Sequence, residues 1–241
     1  MTLKRAFQIA IDGVASTGKS QTARLLVQRL DGFAHIDSGA MYRAITLKTF
    51  PLKPAVSSTA WAEQVAAIAE NTQFHFAGSR LFMDGEDVST DIRSLEVTRA
   101  VSAVAAVPAV RSALVRMQRD FASAPGRGSR GVVMEGRDIG STVLPDAQLK
   151  IYLDGQVLVR AERRFAEMHA AAKKAGLPLN VTLEEIMADV QRRDTADFER
   201  KTSPLKKADR AVVIDTSFLS LAEQVGMLEV LARERLMHWE K

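Results

Sequence analysis

The stretch Phe7-Gln8-Ile9-Ala10-Ile11-Asp12-Gly13-Val14-Ala15-Ser16-Thr17-Gly18-Lys19-Ser20 sets the fold. An apolar run, Phe7 to Ile11, stops at Asp12-Gly13. Gly13 to Ser20 then fits G-x-x-x-x-G-K-[ST]. Beyond it Ala23, Leu26, Val27 and Leu30 recur at helical spacing. Strand, glycine-rich turn and helix thus occupy the first 31 residues, the context in which this motif cradles phosphate. Its glycines let successive backbone N–H groups converge on phosphate oxygens at the positive end of a helix. In that arrangement Gly13, Val14, Ala15, Ser16, Thr17, Gly18, Lys19, Ser20 and Gln21 surround ATP. Lys19 reaches the β- and γ-phosphates, and the Ser20 hydroxyl ligates Mg²⁺. The plainer alternative is a turn with a solvated lysine, which the flanking strand and helix disfavour.

Further along, short apolar runs at Gly131–Met134, Leu149–Leu153 and Ala211–Ile214 are each separated by helix-compatible sequence. Such strands argue for an α/β fold with a parallel sheet covered on both faces. Gln73 to Val88 differs: apolar and polar residues alternate around Gly78-Ser79 and Asp84-Gly85, as in antiparallel hairpins. Helical segments are expected over about Asp91–Val107 and Ala109–Ser123, split at Pro108. Ser58–Val107 reads as an insertion in the α/β core, Gly126–Ser129 as a loop, and Ala170–Asn180 as a mobile flap.

The 241 residues carry 33 Lys and Arg against 29 Asp and Glu, a net charge of +4. That is mild for a polyanion binder. Hydrophobic residues make up 46%, enough for a sizeable core. Zero cysteines exclude disulfides, thiolate metal sites and cysteine nucleophiles. No apolar run approaches the roughly 20 residues of a membrane helix. These features lead us to expect a cytoplasmic protein with no membrane partner.

A phosphate loop alone does not name the acceptor. The asparagines, Asn71 and Asn180, begin no Asn-Lys-x-Asp element for guanine, which leaves small phosphotransferases. Four clusters could form a second site. Asp37-Ser38-Gly39-Ala40-Met41-Tyr42-Arg43 follows an apolar run and starts a helix; Asp37 or Ser38 could simply be its N-cap. Glu135-Gly136-Arg137-Asp138-Ile139-Gly140 follows the Val132–Met134 strand, where open α/β sheets place ligands. Arg160, Arg163 and Arg164 lie on one helix, and Arg192, Arg193, Asp194, Asp197 and Arg200 on another. Isolated, these would be solvated faces; beside a phosphate loop they could cage a transferring phosphoryl group.

Together these segments resemble the bacterial cytidylate kinases over essentially the whole chain. The likeness rests on I-D-G before the loop, D-S-G-A-M-Y-R (37–43), E-G-R-D-I-G-S-T-V-L-P-D-A (135–147), K-I-Y-L-D (150–154), R-R-D (192–194) and S-P-L-K (203–206). The resemblance implies a single domain, 1–241, with the three-layer P-loop NTPase fold and a five-stranded parallel sheet. It implies a monophosphate-binding insertion at about 58–107 and a short lid at about 160–180. The implied reaction moves the ATP γ-phosphoryl group to CMP or dCMP. By position, Ser38, Ser102, Arg111 and Asp138 match residues around the cytosine. Arg43, Arg137 and Arg200 match those at the acceptor phosphate, and Asp197 the one at the ribose. Arg193 and the lid arginines Arg160, Arg163 and Arg164 close over the phosphates, so Lys19, Arg137, Arg193 and Arg200 form the expected catalytic set. Val14 stands where the family usually has Pro, and Arg210 where an acidic residue is frequent.

Two rivals remain: a small P-loop kinase for another acceptor, and an ATP-using nucleic-acid module. Against the second, basic residues do not interleave with aromatics, and Tyr42 and Tyr152 are the only tyrosines. No nucleic-acid partner is expected, and the chain is expected to be a monomer. His35, His75, His169 and His238 are scattered without metal-ligand spacing and read as structural.

Overall fold

The computed structural model describes residues 6–52, 55–56, 58–124 and 129–239. Residues 126–128 of the expected loop lie outside them. The described strands are β1 (Phe7–Gly13), β2 (Phe33–Asp37), β3 (Phe74–Ala77), β4 (Arg80–Met83), β5 (Glu86–Asp87), β6 (Gly131–Glu135), β7 (Leu149–Asp154) and β8 (Val212–Asp215). Five of them form a sheet in the order β2-β6-β1-β7-β8, with every neighbouring pair parallel. β1 is central and buried along its whole length, as its unbroken apolar run requires. The expected α/β architecture is therefore present.

The helices are α1 (Lys19–Arg29), α2 (Ser38–Thr49), α3 (Thr59–Asn71), α4 (Leu95–Ala105), α5 (Pro108–Ser123), α6 (Val157–Ala175), α7 (Leu183–Phe198) and α8 (Leu221–Trp239). Successive strand residues point to opposite faces, so each strand feeds two cores. On one face Ile9, Ile11, Val133 and Ile151 pack against Leu26 of α1, Leu30 just after it, and Leu228 and Ala232 of α8. On the other, Ala10, Ile36, Val132 and Met134 meet Ala122 of α5 and Ile139 and Val143 of the segment after β6. A separate cluster joins Met41, Tyr42 and Ile45 of α2 to Trp61, Val65 and Ala69 of α3 and Val110 and Leu114 of α5. The hairpin region forms its own antiparallel sheet, β3-β4-β5.

Three boundaries differ from expectation. The segment at 91–107 is a single 3₁₀ turn, Asp91–Arg93, and then α4. Ser94 breaks it by accepting from Val97 N at 3.2 Å, a cap that competes with helix continuation. The next helix begins at Pro108 itself, whose fixed φ suits the first helical position. Residues 170–175 are helix rather than flap, because Ala170-Ala171-Ala172-Lys173-Lys174 are strong helix formers. The helix stops at Gly176, φ 67°. Among the described residues no single helix is long and apolar enough to cross a membrane.

Candidate active site

The carboxyl ends of the parallel strands deliver the site. β1 runs into the phosphate loop, and Gly13 takes φ 147° with β7 pressed against it. A Cβ there would fall 2.0 Å from Leu153 O, so no other residue fits. The loop is closed on itself. Lys19 is 6% exposed, and its Nζ donates to Gly13 O at 2.8 Å, Val14 O at 2.5 Å and Thr17 Oγ1 at 3.2 Å. This is not the solvated lysine of the plainer reading. Burial, and then Arg137, hold its ammonium well below the ordinary lysine pKa. Val14 packs with Tyr152 and Leu205, Ser16 has φ 60°, and Gln21 is exposed with Nε2 3.4 Å from Glu167 Oε1.

Ser20, expected to ligate a metal, donates its hydroxyl to Glu135 Oε2 at 2.8 Å. Glu135 ends β6, the strand next to the edge strand β2; the sequence placed it in the second-site cluster, but not beside the phosphate loop. Asp12, unforeseen as a site residue, accepts from Ile139 N at 2.8 Å and Gly140 N at 2.7 Å. It thereby anchors the turn that carries Arg137 and Asp138. Burial raises its pKa to about 6. Gly136 in that turn leaves room for Ser38: a Cβ would lie 2.5 Å from Ser38 Oγ. The Ser38 hydroxyl donates to Glu135 O at 2.6 Å, while Asp37 is the N-cap, accepting from Ala40 N at 2.9 Å.

Around this turn the expected acceptor residues converge. Arg111 Nη2 pairs with Asp138 Oδ2 at 2.5 Å, both buried, with the guanidinium carbon 5.3 Å from the Tyr42 ring centroid. Arg111 Nε and the Tyr42 hydroxyl are buried and lack a partner among the described residues. Burial pushes the Tyr42 pKa up to about 12. Arg137 Nε meets Asp197 Oδ2 at 2.7 Å, and Arg200 Nη1 lies 3.4 Å from Asp197 Oδ1. Burial alone would raise the Asp197 pKa, but Arg137, Arg200 and Arg193 together outweigh it and the net shift is down.

Arg43 Nη1 donates to Thr98 Oγ1 at 2.9 Å. Burial and then Arg193 lower its pKa to about 10. The same two kinds of cause, burial first and a neighbouring arginine next, lower Arg193 beside Arg137 and Arg200 beside Arg111. Ser102 is exposed on α4, one helical turn before Ala105, whose carbonyl lies 3.4 Å from Arg111 Nη1.

The three lid arginines part company. Arg160 is 3% exposed and holds Ala15 O at 2.9 Å and Asp194 Oδ2 at 2.6 Å. Asp194 in turn accepts from Ala15 N at 2.8 Å. Arg160 is thus a buried strut under the phosphate loop rather than a surface group. Arg163 donates to Thr216 O and Leu219 O. Arg164 has Glu167, at 3.4 Å, as its one ion-pair partner among the described residues.

His35 is half-buried, with its Nε2 3.1 Å from Glu135 Oε1. The sequence signal was there, since β2 alternates and His35 falls on the face that Asp37 also takes.

The cytidylate kinase family model matches residues 9–233. A cytidylate kinase of Pelodictyon phaeoclathratiforme is 44% identical over 97% of this chain and 98% of its own length. One from Mycolicibacterium paratuberculosis is 44% identical over 94% of this chain and 95% of its own. Another, from Desulfitobacterium hafniense, is 42% identical over 97% and 96%. A chain that aligns end to end at this identity and carries the phosphate loop beside an arginine-lined second site belongs to the cytidylate kinase family.

Proposed function

We propose that this protein transfers the γ-phosphoryl group of ATP to CMP or dCMP, giving ADP and the nucleoside diphosphate. One observation carries the reading. Lys19 of α1, Arg43 of α2, Arg193 of α7 and Arg200 just after α7 crowd closely enough with Arg137 and Arg111 that burial and their neighbours lower every one of the four. Such a cluster is costly without an anion and suits two phosphate chains meeting end to end.

In this mechanism the phosphate loop grips ATP, and Lys19 exchanges its loop carbonyls for phosphate oxygens. Arg43, Arg137 and Arg200 fix the acceptor phosphate, so that its oxygen faces the γ-phosphorus in line. Arg193 and Arg164 neutralise charge as it spreads over the equatorial oxygens. Asp197 keeps lone pairs for the ribose hydroxyls. For the base, Arg111 with Ser38 or Ser102 serves the O2 and N3 acceptors of cytosine, and Asp138 accepts from its amino group. Uracil turns O4 toward that carboxylate and is repelled. The unpartnered Arg111 Nε and Tyr42 hydroxyl favour a polar ligand here.

Mg²⁺ fits the donor set, because Ser20 Oγ and Glu135 Oε2 are hard oxygens 2.8 Å apart. When bound with ATP it neutralises the β- and γ-phosphates. Residues 58–107 serve as the monophosphate-binding insertion, and 160–180 as the lid. A coupled ADP-release assay with CMP, dCMP, UMP, AMP and GMP tests the reading. CMP and dCMP should give the highest kcat/KM; preference for AMP or GMP would overturn it.

A further inference from the structure

β2 and β6 run parallel, with His35 opposite Val133 and Asp37 opposite Glu135. Alternation sends His35, Val133 and Glu135 to one face, the face that α1 covers. There His35 Nε2 sits 3.1 Å from Glu135 Oε1, while Ser20 Oγ, in the first turn of α1, donates to Oε2 at 2.8 Å. The His35 and Glu135 side chains are 8% and 4% exposed. On its outer side His35 lines a groove of about 920 Å³ along the sheet edge, together with Gln21, Arg24 and Leu25. Three residues from three elements therefore form one partly buried hydrogen-bonded chain from the sheet edge to the phosphate loop.

We infer that His35 is a positioning residue for the metal-binding edge of the phosphate loop, an inference that rests on the phosphate-loop reading above. The terminal torsion of a glutamate is broad, so its carboxylate turns freely unless something holds an oxygen. A carboxylate accepts on both oxygens. With His35 donating to Oε1, Oε2 is held toward α1 and accepts the hydrogen bond of the Ser20 hydroxyl. A serine hydroxyl whose proton is committed in this way offers its lone pairs to a cation. Groups that orient metal ligands from behind are worth roughly 10- to 100-fold in metal affinity.

The test uses the full chain with ADP, and Mn²⁺ in place of Mg²⁺, following the free-ion signal by electron paramagnetic resonance. His35→Phe and His35→Leu keep packing without a donor, whereas His35→Gln places an amide N–H at similar reach. Both apolar variants should weaken Mn²⁺ retention on the enzyme–ADP complex by roughly tenfold or more. The Mg²⁺ concentration for half-maximal activity should rise alongside, with KM for CMP nearly unmoved. Gln should recover Mn²⁺ affinity to within about threefold of wild type. Wild-type Mn²⁺ affinity in the apolar variants would overturn the role of His35, as would a Gln variant as impaired as they are at an equal unfolding temperature. A wild-type enzyme that retains no Mn²⁺ with ADP would instead overturn the phosphate-loop reading beneath it.

Discussion

Arg111 Nη2 and Asp138 Oδ2 lie 2.5 Å apart, and both side chains are buried. The two groups proposed to read the cytosine thus hold each other in place. A buried charge pair is specific rather than strongly stabilising, since desolvation offsets much of the attraction. Here the pair fixes a donor and an acceptor side by side, the pattern that one edge of cytosine complements.

Asp138→Asn should therefore relax base choice. An amide can turn its NH₂ toward O4 of uracil, which a carboxylate cannot do. Losing a charged hydrogen bond costs on the order of 1.5–3 kcal/mol, or about 10- to 100-fold in discrimination. The CMP-to-UMP ratio of kcat/KM should fall by that much. An unchanged ratio would move base reading to other residues.

Asp12 predicts a pH dependence of stability. Its folded pKa of about 6 lies above the ordinary 3.8, because burial outweighs the Gly140 and Ile139 amides. The folded state therefore holds the proton more tightly than the unfolded chain. This contribution is fully present below pH ~4 and is lost as pH rises through about 6, by roughly 3 kcal/mol. The unfolding free energy of wild type relative to Asp12→Asn, from denaturant titrations, should fall by about that much across the window. A difference that stays flat from pH 4 to 7 would refute the assignment.

Arg160 should behave as a structural residue. Arg160→Met strands Asp194 in the interior with Ala15 N as its remaining described partner. Such single-partner removals cost about 3–5 kcal/mol. Replacing both charges, Arg160→Met with Asp194→Leu, should restore part of that loss. Chemical denaturation of the three proteins measures it; wild-type stability in the single variant would show that the pair carries no such role.

What the sequence made legible was local. Phe7 to Ser20 announces strand, turn and helix within a few residues, and Gly78-Ser79 and Asp84-Gly85 mark the hairpin turns that β3, β4 and β5 share. The unforeseen partners are long-range. Ser20 meets Glu135 across 115 residues, Ile139 meets Asp12 across 127, and Ala15 meets Asp194 across 179. No spacing rule joins residues so far apart; only the strand order does. Arg160, Arg163 and Arg164 illustrate the other limit. Charged residues on one helix look alike in sequence, and only packing decides that Arg160 is buried against Ala15 while Arg164 is not.

In the proposed mechanism two separate grips, one for ATP and one for the acceptor phosphate, meet at Arg137. Arg43 isolates the second grip: it starts from α2, is held by Thr98 of α4, and touches no atom of the phosphate loop among its described hydrogen bonds. Its guanidinium can make charge-assisted, bidentate bonds to phosphate. Steady-state kinetics of Arg43→Ala, with each substrate varied in turn, measures the separation. KM for CMP should rise about tenfold or more, for a loss of roughly 1.5–3 kcal/mol, with a fall in kcat from a misplaced acceptor oxygen. KM for ATP should move far less. Equal changes for both substrates, or none for either, would contradict the two-site account.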